Sequence, residues 1–123
     1  MQTILIYNED DQTRRTTATV LRELGFEVLE AQNCEVAHVL IDTFDFDLVI
    51  SDSIENSGLN GFGLLVHSLR VNRAGARLLV SDNVSDNVMR SAEYIGSRCI
   101  CRPVEIEKLV SVVRASCGRP PSN

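Results

Sequence analysis

The sequence predicts an α/β domain in which a five-stranded parallel sheet carries helices on both faces. Three observations lead to this class: five short runs rich in branched aliphatic residues, segments of helical spacing between them, and strict alternation of the two along the chain. Strands that alternate with helices form right-handed crossover units, which align the strands in parallel. Ligands of such sheets bind beyond the carboxyl ends of the strands, so the functional residues are expected at that edge.

Each of the five apolar runs has the length and composition of a β-strand. In chain order they are TILIY (3–7), FEVLEA (26–31), DLVIS (47–51), RLLVS (77–81) and RCICR (98–102). The first run leads directly into the polar stretch NEDD, which places three acidic side chains at the end of a predicted buried strand.

Apolar residues at positions i, i+3, i+4 and i+7 predict the buried face of a helix. In the last helix they are Ile106, Leu109, Val110 and Val113, and in the second helix a similar set is Val36, Val39, Leu40 and Phe44. Gly25 and Gly96 each follow a helical segment, so we interpret both as helix ends.

Length and composition indicate one domain without a membrane anchor. The chain has 123 residues, and we predict a domain over 1–117 followed by a disordered tail, 118–123, which contains two prolines. No run approaches the roughly 18 apolar residues of a membrane-spanning helix. The first residues lack the basic segment of a signal peptide, so a cytoplasmic protein is expected.

Charge and cysteine content narrow the class of partner. The net charge of −5 argues against direct binding of nucleic acid, because phosphate backbones are held by clustered Lys and Arg. The four cysteines show neither a disulfide framework nor a CxxC pair, which suits a reducing compartment. Protein partners or small ligands are therefore favoured.

Polar side chains follow four of the predicted strands at the edge where ligands bind. They are Asn8, Glu9 and Asp10 after the first strand, Asp52 after the third, Ser81 and Asp82 at the end of the fourth, and Arg102 and Pro103 after the fifth. Clustered carboxylates repel one another, and a divalent cation relieves that repulsion. Mg²⁺ takes oxygen ligands from one or two carboxylates, which predicts a site between Glu9 and Asp52. With a hydroxyl and a cation nearby, Asp52 is a candidate nucleophile for a phosphoryl group.

These residues give the chain a resemblance to response regulator receiver domains from residue 3 to about residue 116. The strand-one acid pair of that family falls on Asn8-Glu9, its phosphoryl-accepting aspartate on Asp52, its hydroxyl on Ser81, and its Lys-Pro pair on Arg102-Pro103. The stretch LRELGFEVLEA (21–31) is similar to the family's passage from helix one into strand two.

The resemblance implies a flavodoxin-like, doubly wound sheet with strand order 2-1-3-4-5. It also implies a non-enzymatic phosphorelay module. Such a module receives phosphate from a sensor histidine kinase or phosphotransfer protein and acts on a downstream protein target. A homodimer is compatible with the resemblance. The implied metal is Mg²⁺, held by Glu9 and Asp52, by the backbone carbonyl of Ile54, and through water by Asn8.

The sequence departs from the family at the metal site and at the cation. Asn8 removes one negative charge, and Glu9 adds a methylene where an inner-sphere aspartate is expected, so Mg²⁺ binding is expected to be weak. Arg102 replaces a lysine, and its planar guanidinium suits a two-pronged grip on a carboxylate. We therefore predict a direct contact between Arg102 and Asp52.

Three further departures affect phosphorylation and switching. Asp82 stands where the family has a small residue, and its charge repels a phosphoryl dianion. The loop after Asp52, SIENSGLNG, is one residue longer than usual. Cys99 occupies the position of an aromatic residue that swings inward on activation, so any switching is expected to proceed without that movement.

Two functions remain open from the sequence. One is an atypical receiver that is phosphorylated at Asp52, and the other is a pseudo-receiver that binds proteins without being phosphorylated. Simpler roles are also compatible with individual residues: Asp52 as a loop cap, Ser81 as a strand-end hydroxyl, and Asp10 as the cap of the first helix. Phosphatase and flavodoxin motifs do not fit, because position 54 is Ile and the first loop is acidic.

Overall fold

A computed structural model describes residues 2–52, 58–82 and 85–117, and it contains the predicted five-stranded parallel sheet. The strands are β1 (Thr3–Asn8), β2 (Glu27–Ala31), β3 (Leu48–Asp52), β4 (Ala76–Ser81) and β5 (Ser97–Cys101). Their order in the sheet is β2-β1-β3-β4-β5, and every neighbouring pair is parallel. The predicted fold class, strand order and positions are thus confirmed.

Five helices connect and flank the strands. They are α1 (Asp11–Glu23), α2 (Cys34–Thr43), α3 (Gly58–Val71), α4 (Asp86–Tyr94) and α5 (Ile106–Cys117). Side-chain oxygens cap three of them: Asp10 accepts from Thr13 N in α1, Asn33 from Val36 N in α2, and Ser85 from Val88 N in α4. Each cap satisfies a backbone N–H that lacks a partner in the first turn.

Gly25 and Gly96 lie where the sequence predicted helix ends. Their φ angles are 98° and 68°, in the left-handed region that glycine adopts at little steric cost. Both therefore allow the chain to turn from a helix directly into the next strand, β2 or β5.

The sheet separates two apolar cores, because successive side chains of a strand point to opposite faces. On one face, Ile6 and Ile50 pack with α1 and α5 residues such as Leu21 and Leu109. On the other face, the buried core residues of α2 and α3 include Ala37, Ile41, Leu64 and Leu65. The alternation continues to the strand ends, so Asn8 and Asp52 share the α1/α5 side with Ile6 and Ile50.

The predicted buried face of α2 is wrong. The structure buries Ala37 and Ile41, whereas Val36 is 41% exposed and Val39 is 62% exposed. The helix is apolar on more than one side, so apolar spacing alone does not define its orientation. In α5 the prediction is better, because Leu109 and Val113 are buried, although Ile106 is 42% exposed.

Within the described residues, no helix is long and apolar enough to cross a membrane. Helix α5 continues to Cys117. The predicted disordered tail, 118–123, lies outside the described residues, so the division into a domain and a tail stays a prediction.

Candidate functional site

The site begins with two neighbouring strand ends, β1 and β3, which are paired in register. Asn8 lies directly opposite Asp52. The Asn8 amide Nδ2 donates a hydrogen bond of 3.0 Å to Asp52 Oδ2, and Asn8 Oδ1 accepts from the backbone N–H of Asp10 at 2.9 Å. Asn8 is buried, so its side chain is fixed between the Asp52 carboxylate and the start of α1.

The second contact to Asp52 comes from the loop after β5. Arg102 Nη2 donates to Asp52 Oδ1, and Arg102 Nη1 donates to Asp82 Oδ1 at 3.3 Å. The backbone N–H of Arg102 is itself bonded to Ser81 O at 3.1 Å, which holds the start of the loop against β4. The predicted contact between Arg102 and Asp52 is confirmed, and the guanidinium also bridges to a second acid.

The carboxylate of Asp52 experiences opposing effects. The pKa of Asp52 is raised to about 6, chiefly by burial. The positive charge of Arg102 acts to lower this pKa, and the negative charges of Asp82 and Asp10 act to raise it. The side chain is only 14% exposed, so we regard the loss of hydration as larger than the attraction to Arg102.

Glu9, predicted as a ligand beside Asp52, follows the last residue of β1 and is exposed. Its charge acts on Tyr7 and Cys34. Burial raises the pKa of Tyr7 to about 12, and Glu9 adds to that rise. The role of Glu9 as a metal ligand stays a prediction.

Helix α1 supports the site through Asp10 and Arg14. Asp10 caps the helix, as predicted, and hydrogen bonds from Thr13 lower the pKa of its carboxyl group. Arg14 is charged but only 5% exposed. Its guanidinium donates to Asn8 O at 2.9 Å and to Glu30 Oε1 at 3.1 Å, which ties the end of β1 to β2.

No motif in the sequence indicates this role of Arg14. Its neighbour Arg15 is exposed, and two adjacent arginines on a helix look alike in the sequence. The helical position of Arg14, on the same side as the buried residues Ala18 and Leu21, is the one feature that distinguishes them.

No family model matches the sequence, and no curated protein matches it. Solved structures do match. A two-component response regulator from Clostridium difficile is 24% identical, with 99% of this chain and 100% of that chain covered and a TM-score of 0.85. The receiver domain of the hybrid histidine kinase CckA is 26% identical, with 94% and 99% covered and a TM-score of 0.76. The chain has the receiver-domain fold.

A further structure with the receiver fold comes from Burkholderia pseudomallei. It is a response regulator with a phosphorylated aspartic acid, a calcium ion and citrate. It is 17% identical, with 95% of this chain and 69% of that chain covered and a TM-score of 0.82. The resemblance inferred from the strand-end residues therefore agrees with the fold.

The arrangement around Asp52 is unfavourable for Mg²⁺. One carboxylate oxygen of Asp52 accepts from Asn8 and the other from Arg102, so these donor groups compete with a cation for the carboxylate. Among the described residues, no group of three or more His, Cys, Asp or Glu side chains is placed to hold a metal ion. The predicted ligand Ile54 lies outside the described residues.

The remaining predicted site residues lie at the strand positions that the sequence predicted. Ser81 ends β4 and is half-buried, opposite Cys101 in β5. Cys99 is half-buried in β5 and packs against the core on the α2/α3 side, where burial raises the pKa of its thiol. Pro103 follows Arg102 through a cis peptide bond. The roles assigned to Ser81 and Cys99 stay predictions.

Proposed function

We propose that the chain is a receiver module of a two-component signalling system, with Asp52 as its phosphoryl acceptor and Arg102 as a restraint on that acceptor. The observation that carries the proposal is the ion pair between Arg102 and Asp52, completed by the Asn8 amide. The receiver-domain neighbours support the signalling role. The phosphorylated aspartic acid of the Burkholderia structure is one precedent for the chemistry on this fold.

The proposed reaction is transfer of a phosphoryl group from a histidine of a sensor kinase or phosphotransfer protein. An oxygen of the Asp52 carboxylate forms a bond to phosphorus as the bond from phosphorus to the histidine nitrogen breaks, and the imidazole leaves with the bonding electrons. The acyl phosphate then acts on a downstream protein target. A cytoplasmic location and the absence of direct nucleic-acid binding remain predictions from composition.

The geometry around Asp52 supports slow transfer. Each of its oxygens already accepts a hydrogen bond from a neighbouring side chain, so its lone pairs are less available to phosphorus. Unit charges about 4 Å apart attract with about 4 kcal/mol at an effective dielectric near 20, so release of Arg102 adds to the barrier. Asp82 places a second negative charge nearby, which opposes an incoming phosphoryl dianion.

Weak Mg²⁺ binding is part of this proposal, because the donors on Asp52 compete with a cation. We expect the competition to be relieved by Arg102→Lys, since an ammonium group on a flexible stem need not grip both acids. Asn8→Asp adds the negative charge that the family resemblance implies, and Glu9→Asp gives the shorter side chain that it implies. The triple variant is therefore expected to bind Mg²⁺ more tightly than the wild type.

The test is labelling by acetyl phosphate in Mg²⁺, with the acyl phosphate measured by intact mass. We expect slow or undetectable labelling of the wild type, more with Arg102→Lys, and most with the triple variant. Asp52→Asn is the blank. Arg98→Lys is the matched control, because Arg98 is exposed on β5 outside the site. Efficient labelling of the wild type would contradict the proposed restraint. If the triple variant is labelled no faster than the wild type, Asp82 or the longer loop, and not Arg102, limits phosphorylation.

The same ion pair favours a second candidate function, a pseudo-receiver that is never phosphorylated. In that case neither acetyl phosphate nor a kinase labels the wild type, and Asp52→Asn leaves binding of the downstream protein unchanged. A loss of partner binding in Asp52→Asn, or any labelling of the wild type by a histidine kinase, would exclude this candidate.

A further inference from the structure

A groove lies beside the site, between the first turns of α1 and the beginning of α5. Its volume is about 410 Å³, and small-molecule sites occupy roughly 300–1,000 Å³. Its lining includes Ile6, Ile50 and Val80, the last apolar residues of three neighbouring strands on this face, together with Leu109 of α5. All four are buried in the apolar core and are 5% exposed or less, so the accessible apolar surface of the groove comes from its sides.

The two sides of the groove differ in polarity. Thr13 and Thr17 line it from α1, and Val104 and Ile106 line it from the α5 side. Ile106 is 42% exposed, so part of its side chain is apolar surface in contact with water. A ligand in the groove would therefore cover apolar surface that the fold leaves in water.

The end of the groove carries excess negative charge. Its lining includes Asp52, Asp82 and Arg102, two acids against one guanidinium. The Asp82 side chain is 68% exposed, and Asp10 adds its own negative charge to the surroundings of Asp52. An anion entering this end meets repulsion, whereas a cation is attracted.

The apolar side of the groove distinguishes between kinds of cation. A hydrated metal ion gains nothing from contact with Val104 or Ile106, because it binds oxygen ligands and retains its water. An organic cation gains from both parts of the groove: its charge pairs with a carboxylate, and its hydrocarbon leaves water.

We propose that this groove binds a small organic amine with an apolar body, its ammonium group at Asp82 and its hydrocarbon against Val104 and Ile106. This goes beyond the proposed function, because it gives the domain a small-molecule input at the edge where Arg102 holds Asp52. Binding requires no phosphoryl group, and its test uses no phosphodonor, so it stands or falls separately from the labelling experiment.

The first experiment is an amide NMR titration of the full chain with hexylammonium. We expect saturable shifts at Thr13, Thr17, Val104 and Ile106. Affinity should rise by up to roughly fourfold for each methylene added from butylammonium to hexylammonium, since a buried methylene contributes about 0.8 kcal/mol. Methylammonium, which lacks the tail, and hexanoate, which reverses the charge, should bind at least tenfold more weakly. Equal binding of hexanoate, or an absence of saturable shifts with hexylammonium, would overturn the proposal.

Two variants with matched controls locate the site. Thr17→Phe fills the groove and should abolish hexylammonium binding, whereas Thr16→Phe, on the exposed side of the same helix, should leave it intact. Asp82→Asn should weaken binding roughly two- to fivefold, as expected for an exposed ion pair. Asp86→Asn removes the same charge outside the groove and should have a smaller effect. Unchanged affinity in Asp82→Asn, which alters only an exposed side chain, would overturn the assignment even if Thr17→Phe failed to fold.

Discussion

Replacing Asp52 by Asn should stabilise the protein at neutral pH, although the substitution removes an ion pair. The carboxylate is charged, largely buried and in contact with Arg102. Loss of hydration raises its free energy, and the guanidinium lowers it. Because burial has the larger effect on its pKa, the charged form of Asp52 is on balance disfavoured by the fold. Asn keeps the shape and a hydrogen-bond acceptor without the charge.

The magnitude follows from the pKa. Burial raises the pKa of Asp52 to about 6 in the folded protein, whereas an unfolded chain has about 3.9. The folded state thus binds the proton more tightly, so the free energy of unfolding falls as the pH rises from about 4 to about 6. A difference of about two pKa units corresponds to about 3 kcal/mol in the free energy of unfolding. The wild type loses this stability above about pH 6, whereas Asp52→Asn keeps it.

The assay is urea unfolding of the wild type and Asp52→Asn at several pH values between 3.5 and 7.5, a range set roughly by the two pKa values. The difference between the two proteins isolates Asp52 from the other carboxylates. It should be near zero at the acid end and grow to about 3 kcal/mol above pH 6. Asp45→Asn, in an exposed loop, is the control. A variant less stable than the wild type at pH 7 would show that the ion pair outweighs burial and would refute this reasoning.

Three further predictions concern the surroundings of the site. Arg14→Met should lower the free energy of unfolding by roughly 2–4 kcal/mol, because it removes the buried donor to Asn8 O and one of the two guanidinium partners of Glu30. Arg15→Met should change the free energy of unfolding by less than about 0.5 kcal/mol in the same urea assay. Mg²⁺ should bind weakly by NMR titration, and tight stoichiometric binding centred on Asp52 would contradict this. Addition of beryllofluoride should leave the amide of Cys99 nearly unshifted, and a large shift there would mean that another residue replaces the family's aromatic switch.

The sequence by itself determined the sheet and its functional edge. Apolar runs separated by helical segments leave one efficient arrangement, a parallel sheet covered on both faces, and the runs match the strands to within about a residue. The ends of parallel strands meet at one edge, so Asn8, Asp52 and Arg102 were expected together before any coordinates. The contact between Arg102 and Asp52 was also predictable, because a guanidinium and a carboxylate at the same edge of a sheet attract strongly.

Only the tertiary structure decided which face each remaining side chain takes. The register of β1 against β3 places Asn8 opposite Asp52 and leaves Glu9 exposed, a choice that depends on where the strand ends to within one residue. The packing of α2 buries Ala37 and Ile41 although Val36 and Val39 have the same apolar spacing. Likewise, the groove beside Asp82 exists only because α1 and α5 stand apart over the strand ends. Each of these features depends on contacts between residues far apart in the chain, and local pattern carries no information about such contacts.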